Sequence, residues 1–251
     1  RFVGALVAVT LGIMVLLGPN MYLAQYLQLA LGFSPLGAAL WMIPMTIAAM
    51  AGSMLAPQLR GWVGTASAMS IGFVAAATGL GVIAFTPAAD GLSIIVGGGV
   101  VLGAGVTTVM TLATDAIVAA APPDRAGAAS AIQETGSEFG GALGIALMGS
   151  IGATVYKTSL DLPADVPAIA EESFASAREV SRSLPEEVGN ALFENAAEAF
   201  TSGLSVAATA GSVVMLALAV VVPVLMRGEA TDAESTSVRA DSNSYAKESH
   251  S

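Results

Sequence analysis

The sequence contains no cysteine and a single histidine, His250, next to the last residue. The first absence excludes a disulfide framework, thiol chemistry and cysteine–zinc sites. The second leaves Ser130, Ser137 and Ser150 without an imidazole partner and gives no support to a metal site of histidines and carboxylates. Charge is also scarce, at 11% of residues against about 25% in soluble domains. A chain of 251 residues is long enough for a large soluble domain, but this one lacks the charge to coat it. Nor is there a basic surface of the kind that nucleic acids require: nine Lys and Arg stand against nineteen Asp and Glu, a net charge of −10.

What fills the chain instead is apolar sequence, 55% of residues with a mean hydropathy of +0.75. An all-α integral membrane protein follows from that composition. Spanning helices need about 20 apolar residues, and six stretches qualify: residues 2–31 (interrupted by Gly18-Pro19), 35–58 (with Pro44 inside), 65–85, 91–120 (ended by Pro122-Pro123), 126–156 and 200–226. The chain opens RFVGALVAVTLGIMVLL, which runs on as a span instead of ending at a small-residue cleavage site as a signal peptide does. This beginning reads as the start of a spanning helix in the C-terminal piece of a longer protein.

The acids are unevenly placed. Nine lie between Lys157 and Phe200 and five after Met226, which leaves Asp90, Asp115, Asp124, Glu134 and Glu138 for the rest. The organisation is therefore five spans in residues 1–156, an acidic loop over 157–199, a last span over 200–226 and a polar, disordered tail over 227–251. In the loop, Phe174, Ala177, Val180 and Leu184 recur near helical spacing, as do Val188, Leu192 and Phe193, which predicts one or two amphipathic helices at the membrane surface. Lys and Arg in short loops set orientation. Arg1, Arg60, Arg125 and Arg227 share one side, and the opposite short loops, 32–34 and 86–90, have neither residue. Both ends are expected in the cytoplasm and the acidic loop outside.

Within the fifth span, AIQETGSEFGGALGIALMGS (131–150) carries Glu134 and Glu138. An ionised carboxylate at the centre of a spanning helix costs about 2.5–3.5 kcal/mol on insertion scales, so such residues face a bundle interior or a wet cavity and mark a pathway. At 1.5 Å per residue, Glu134 lies roughly 12 Å and Glu138 roughly 18 Å from the start of the helix. Four residues turn about 40° beyond a full circle, so the two share a face. Gly136, Gly140 and Gly144 form a second stripe roughly 140° away, suited to backbone-close packing on a neighbouring helix. Two carboxyls side by side in a low dielectric titrate as a coupled pair, and in ionised form they attract a cation. One site that takes either a proton or a cationic substrate is the physical basis of antiport. The bland alternative is a pair of protonated acids bonding a neighbouring helix.

Other polar residues in the spans are weaker candidates. Thr107, Thr108, Thr111 and Thr114 lead to Asp115 on one face of the fourth span; Asp115 suits either a role in coupling or a simple pairing with Arg125, and the threonines are able to bond their own backbone. Asn20, Gln25 and Gln28, near the external end of the first span, are candidate cavity residues. Tyr22 and Tyr26 beside them fit an interfacial aromatic belt better. Met21, Met42 and Met45 offer an adaptable apolar lining, or simply packing. Gly97, Gly98, Gly99 and Gly103 favour close helix contacts.

Residues 122–156, PPDRAGAASAIQETGSEFGGALGIALMGSIGATVY, resemble the fourteen-helix drug:proton antiporters of the major facilitator superfamily, of the QacA-like and SmvA-like kind. The P-x-x-x-A-G-x-A-S turn, the E-T-x-x-E pair, G-x-A-L-G-I-A-x-x-G-S and the closing Tyr carry the resemblance; YLAQYLQLALGFSPLGAALWMIP (22–44) is similar to the family's first two helices of this half. The resemblance implies that the six spans form a six-transmembrane-helix bundle, the C-terminal half of a major facilitator fold. It implies a partner, the N-terminal helical bundle of the same protein, and a bacterial inner membrane. It further implies export of lipophilic or quaternary ammonium cations driven by the proton gradient without a cofactor, with Glu134 and Glu138 in the binding pocket. Two departures bear on substrate range: residues 35–58 lack the further acid some relatives carry, and QLRGWVG is a poor echo of the superfamily's basic loop motif. Export of an amino acid or natural product, a membrane structural or interaction protein, and an intramembrane enzyme are the alternatives; the last has no evident nucleophile.

Overall fold

The computed structural model describes residues 2–162 and 166–248. Helix α1 spans Phe2–Gln25 and continues as one π turn, Tyr26–Ala30. Gly18-Pro19 does not interrupt it. The carbonyl that Pro19 frees is tolerable inside a helix bundle, and both residues are buried against neighbouring helices. Gly32, with φ of +72°, turns the chain into α2, Pro35–Val63, which is capped by the Ser34 hydroxyl accepting from the Gly37 N–H at 3.1 Å. This helix outruns its expected end at residue 58 and stops where Gly64 takes φ of +80°. Next come α3, Thr65–Ile83, and α4, Leu92–Ala120. After Pro122 and a short 3₁₀ turn comes α5, Ala126–Ser159.

The acidic loop is the larger surprise. A 3₁₀ turn, Ala168–Glu171, precedes α6, Phe174–Ser183, whose Ser173 side chain caps the Ser176 N–H. Helix α7 then begins at Glu186, well before the expected start at residue 200, and runs to Glu248. Two physical reasons suffice. Pro185 followed by Glu186 and Glu187 is a helix start with acids in the first turn, and residues 190–202, which join Leu192 and Phe193 to the apolar run beyond, contain neither Pro nor Gly. At its far end α7 crosses most of the stretch expected to be disordered; residues 229–248 contain neither Pro nor Gly. Arg1 and His250 lie outside the described residues. Among those that are described there is no strand, and six helices are long and apolar enough to cross a membrane.

Helices α4, α3, α7, α5 and α1 pack in sequence around one core, with α1 returning to α4, and α2 sits outboard against α4. Tyr26, Leu23, Phe73, Leu80, Leu112, Leu204 and Met215 are among the fully buried side chains. Helix α2 buries only Ala38, Gly52 and Ala56. The predicted amphipathic helices do exist, but their apolar faces meet protein. Phe174 and Ala177 are buried, and Phe174 packs on Phe193 and Phe200, with ring centroids 5.7 and 5.1 Å apart.

The tyrosines of α1 are core residues and not an interfacial belt. Tyr26 is 0% exposed; its hydroxyl donates to the Pro87 carbonyl at 2.8 Å and accepts from the Gly91 N–H at 3.0 Å. Tyr22 donates to the Met148 carbonyl at 3.0 Å and fills the space left by Gly152. Tyr26→Phe strands the buried Gly91 N–H and removes the part-buried bond to Pro87, and an unpaired buried group costs about 1–3 kcal/mol. Thermal unfolding of the purified variant should therefore show a fall of several degrees; an unchanged midpoint would mean that water replaces the phenol.

Candidate functional site

The site is built on α5, and α1 sets its orientation. At Gly140 a Cβ would overlap the Thr10 carbonyl oxygen, and at Gly144 the Met14 carbonyl oxygen. At Gly136 it would come within 2.7 Å of the Thr10 hydroxyl. Across the same seam Gly18 lies against Met148 and the Gly144 carbonyl. The two helices thus meet backbone to backbone for several turns, as small-residue stripes allow, and Tyr22 locks the upper end through Met148. A helix held this way cannot rotate. Glu134 and Glu138, on the far side from the stripe, are consequently exposed on the bundle's open flank. Ile145, about two turns further along the same face, is exposed as well, at 49%.

Along α5 the two carboxyls are separated by ~6 Å of helix rise. Glu138 is about one turn from the middle of the Ala126–Ser159 helix, so it is the deeper of the two. Among the described residues neither carboxyl has a hydrogen-bond or ion-pair partner. Two ionisable groups without partners on an apolar flank are costly, and the flank is where a ligand or another protein surface would be met.

One turn away a polar seam crosses the bundle. Gln133 Nε2 donates to the Thr114 hydroxyl at 2.9 Å, a side-chain bridge between α5 and α4. From α4 the seam continues to α2: Thr111 and Ser53 hydroxyls lie 2.9 Å apart, Thr107 donates to the Ala49 carbonyl at 2.8 Å, and Thr108 to the Gly52 carbonyl at 3.1 Å. Thr107 and Thr108 also bond their own helix at Gly103 and Ala104. Asp115 ends the seam, and its partner is Arg60 of α2 at 3.1 Å, not Arg125, which lies 3.8 Å from Asp124. The expected partner was the nearer one in sequence; the helix reversal at Pro122 carries Arg125 away while α2 runs alongside α4.

The remaining candidates are dispersed. Asn20, Gln25 and Gln28 are half-buried, and the Gln28 carbonyl accepts from Arg178 of α6. Met42 is half-buried against the core, and Met45 fits over Gly99 and Gly103. Gln133 and Ser53 carry no signal of their own in the sequence. Gln133 stands in the same 131–150 stretch, but only its bond to Thr114 distinguishes it from a surface amide.

The Arg60–Asp115 pair is open to solvent, with side chains 44% and 47% exposed, and pairs of this kind contribute ~0–1 kcal/mol. Asp115→Asn should therefore leave the unfolding midpoint within about two degrees of the parent. A larger fall would show that the pair holds α2 to α4.

Residues 1–145 match the family model described as Major Facilitator Superfamily. The chain is 33% identical over 230 residues to the multidrug efflux pump LfrA of Mycolicibacterium smegmatis, an alignment that takes in 90% of this chain and 46% of that protein. It is 31% identical over 221 residues to the methyl viologen resistance protein SmvA of Salmonella typhimurium, covering 86% and 44%. With the tetracenomycin C resistance and export protein of Streptomyces glaucescens it shares 29% over 216 residues, 81% and 40% of the two chains. The chain spans about half the length of the curated relatives it matches.

Proposed function

The chain belongs to the Major Facilitator Superfamily, a family of transporters and not of enzymes, and on that premise we propose that it is one helical bundle of a proton-coupled exporter of lipophilic cations. The observation that carries the reading is the pair Glu134 and Glu138, held without partners on the open flank of α5 by a glycine stripe that faces the other way. In ionised form the pair attracts a cation; once protonated it releases it. A cycle in which proton and cation exclude one another from the same carboxyls couples inward proton flow to outward cation flow.

A second bundle completes the cavity in this reading. The length of the relatives supports it, as do the exposed faces of α2 and α5. Rocking between two such bundles exposes the carboxyls to each side in turn. In this reading the α2–α3 and α4–α5 turns lie in the cytoplasm of a bacterial inner membrane and α6 lies outside, which the arginines of those turns, Arg60 and Arg125, support. The substrate class is supported by the methyl viologen resistance named for one relative, since methyl viologen is a flat organic dication. The tetracenomycin export named for another favours a second reading, export of an uncharged natural product.

Everted vesicles carrying the full gene product test the proposal. With a proton gradient imposed, addition of methyl viologen should release protons in proportion to the dose. No release with methyl viologen or with lipophilic quaternary ammonium cations, together with movement of an uncharged polyketide, would favour the second reading. No movement of either would point to a structural role.

A further inference from the structure

Away from the carboxyls, the acidic loop holds two arginines that the proposed cycle does not use. Arg178 and Arg182 stand one turn apart on α6 and form the wall between two clefts. One, of about 270 Å³, opens toward the end of α1 and is lined by Leu29, Gly32, Phe33 and Glu179 besides the arginines. The other, of about 450 Å³, opens toward the start of α7 and adds Ser181, Asn190 and Glu186. We propose that Arg178 and Arg182 bind the phosphate of an anionic phospholipid from the leaflet on the α6 side.

Position is the first argument. The α1-side cleft abuts the last turn of a membrane-spanning helix, since Gln28 and Leu29 belong to the span Phe2–Ala30, and this is the level of the lipid headgroups. Its lining is mixed, with Phe33 and Leu29 beside two guanidiniums, as a phosphate with attached glycerol requires.

Preorganisation is the second. Arg178 is half-buried and donates to the Gln28 carbonyl, at the C-terminal end of α1 where a cation is favoured. One edge of its guanidinium is thereby fixed. Among the described residues no carboxylate lies within ion-pair distance of it; the nearest ion pair is Arg182 with Glu179, at a loose 3.8 Å and largely exposed. Each cleft holds two arginines against one acid, Glu179 in the first and Glu186 in the second. Burial, and then the like charge of Arg182, hold the Arg178 guanidinium below its ordinary value. An anion between the two arginines relieves that strain.

The test uses the full gene product in nanodiscs of phosphatidylcholine doped with phosphatidylglycerol, with retained lipid counted by native mass spectrometry. Phosphatidylglycerol should be retained over phosphatidylcholine. A juxtamembrane arginine contributes roughly a fivefold factor at an anionic surface, so Arg182→Gln, a change at a mostly exposed side chain, should lower retention about fivefold. Arg178→Gln with Arg182→Gln should abolish the preference. Glu179→Gln, which removes the competing acid, should raise retention. Equal retention of the two lipids, or retention unchanged in the double variant, would overturn the proposal. Displacement of the lipid by millimolar inorganic phosphate would keep the anion site and assign it to a soluble phosphate.

Discussion

Glu138→Gln should abolish cation-dependent proton release in vesicles, and Glu134→Gln should reduce it at least tenfold. The amide matches the carboxyl in size and keeps a hydrogen-bonding oxygen, so α5 should fold and dock on α1 unchanged through Gly140 and Gly144, which lie on the other face. What disappears is the ability to lose a proton and become an anion. A carboxylate ~4 Å from a cation in a partly hydrated site is worth up to about 4 kcal/mol, and each ~1.4 kcal/mol is a factor of ten in affinity. Loss of one carboxyl therefore removes one to three decades of cation binding, more for a dication that engages both. Glu138 should matter more because it lies nearer the middle of the helix and further from bulk water. Glu138→Asp, which keeps the acid but shortens the reach, should retain measurable release with a raised KM. The pH profile separates coupling from packing: parent export should depend on the external proton concentration, whereas residual export by Glu134→Gln should depend on it less. Full activity with ordinary pH dependence in both glutamine variants would make the pair structural and refute the antiport reading.

The two faces of α5 were legible in the sequence because helical geometry alone separates the carboxyls from the glycines, and nothing tertiary was needed. The spans were legible for a similar reason: runs of about 20 apolar residues carry their own signal. What could not be read was everything that depends on a residue's neighbour across the bundle. Tyr22 and Tyr26 have the amphipathic character of belt residues, and only Gly152 and Gly91, 130 and 65 positions away, make room for their burial. For Asp115 sequence proximity points to Arg125, and only the packing of α2 alongside α4 brings Arg60 to it. The start of α7 is hidden in the sequence for a different reason. Polarity separates the 186–199 segment from the membrane, but it does not separate it from the helix, which runs unbroken through Gly189 into the apolar span.

Gly140→Ala should destabilise the protein although it adds only one methyl to α5. In solvent-exposed helix interiors the same change is favourable by about 1 kcal/mol, because alanine restricts the unfolded chain and glycine does not. Here the added carbon meets the carbonyl oxygen of Thr10, and the same carbon at Gly144 meets that of Met14. Backbone atoms cannot swing aside as a side chain can, so α1 and α5 must separate. Overpacking of this kind costs about 1–3 kcal/mol and occasionally more, and separation also weakens the Tyr22–Met148 bond further along the seam. Gly149 is the internal control: it lies on the same helix, and a Cβ there has no neighbour within 4 Å. Gly149→Ala should leave the unfolding midpoint unchanged or raise it, whereas Gly140→Ala should lower it by several degrees and Gly140→Leu should prevent accumulation of folded protein in the membrane. The contrast carries a functional consequence. If α1 fixes the rotation of α5, then a Gly140→Ala protein that still folds must turn or tilt α5, and Glu134 and Glu138 move with it. Its proton release should then fall even though no titratable group has been touched, while Gly149→Ala should transport as the parent does. Equal behaviour of the two alanine variants, in unfolding and in release alike, would mean that α5 is not held by its glycines and that the carboxyls owe their position to something other than α1.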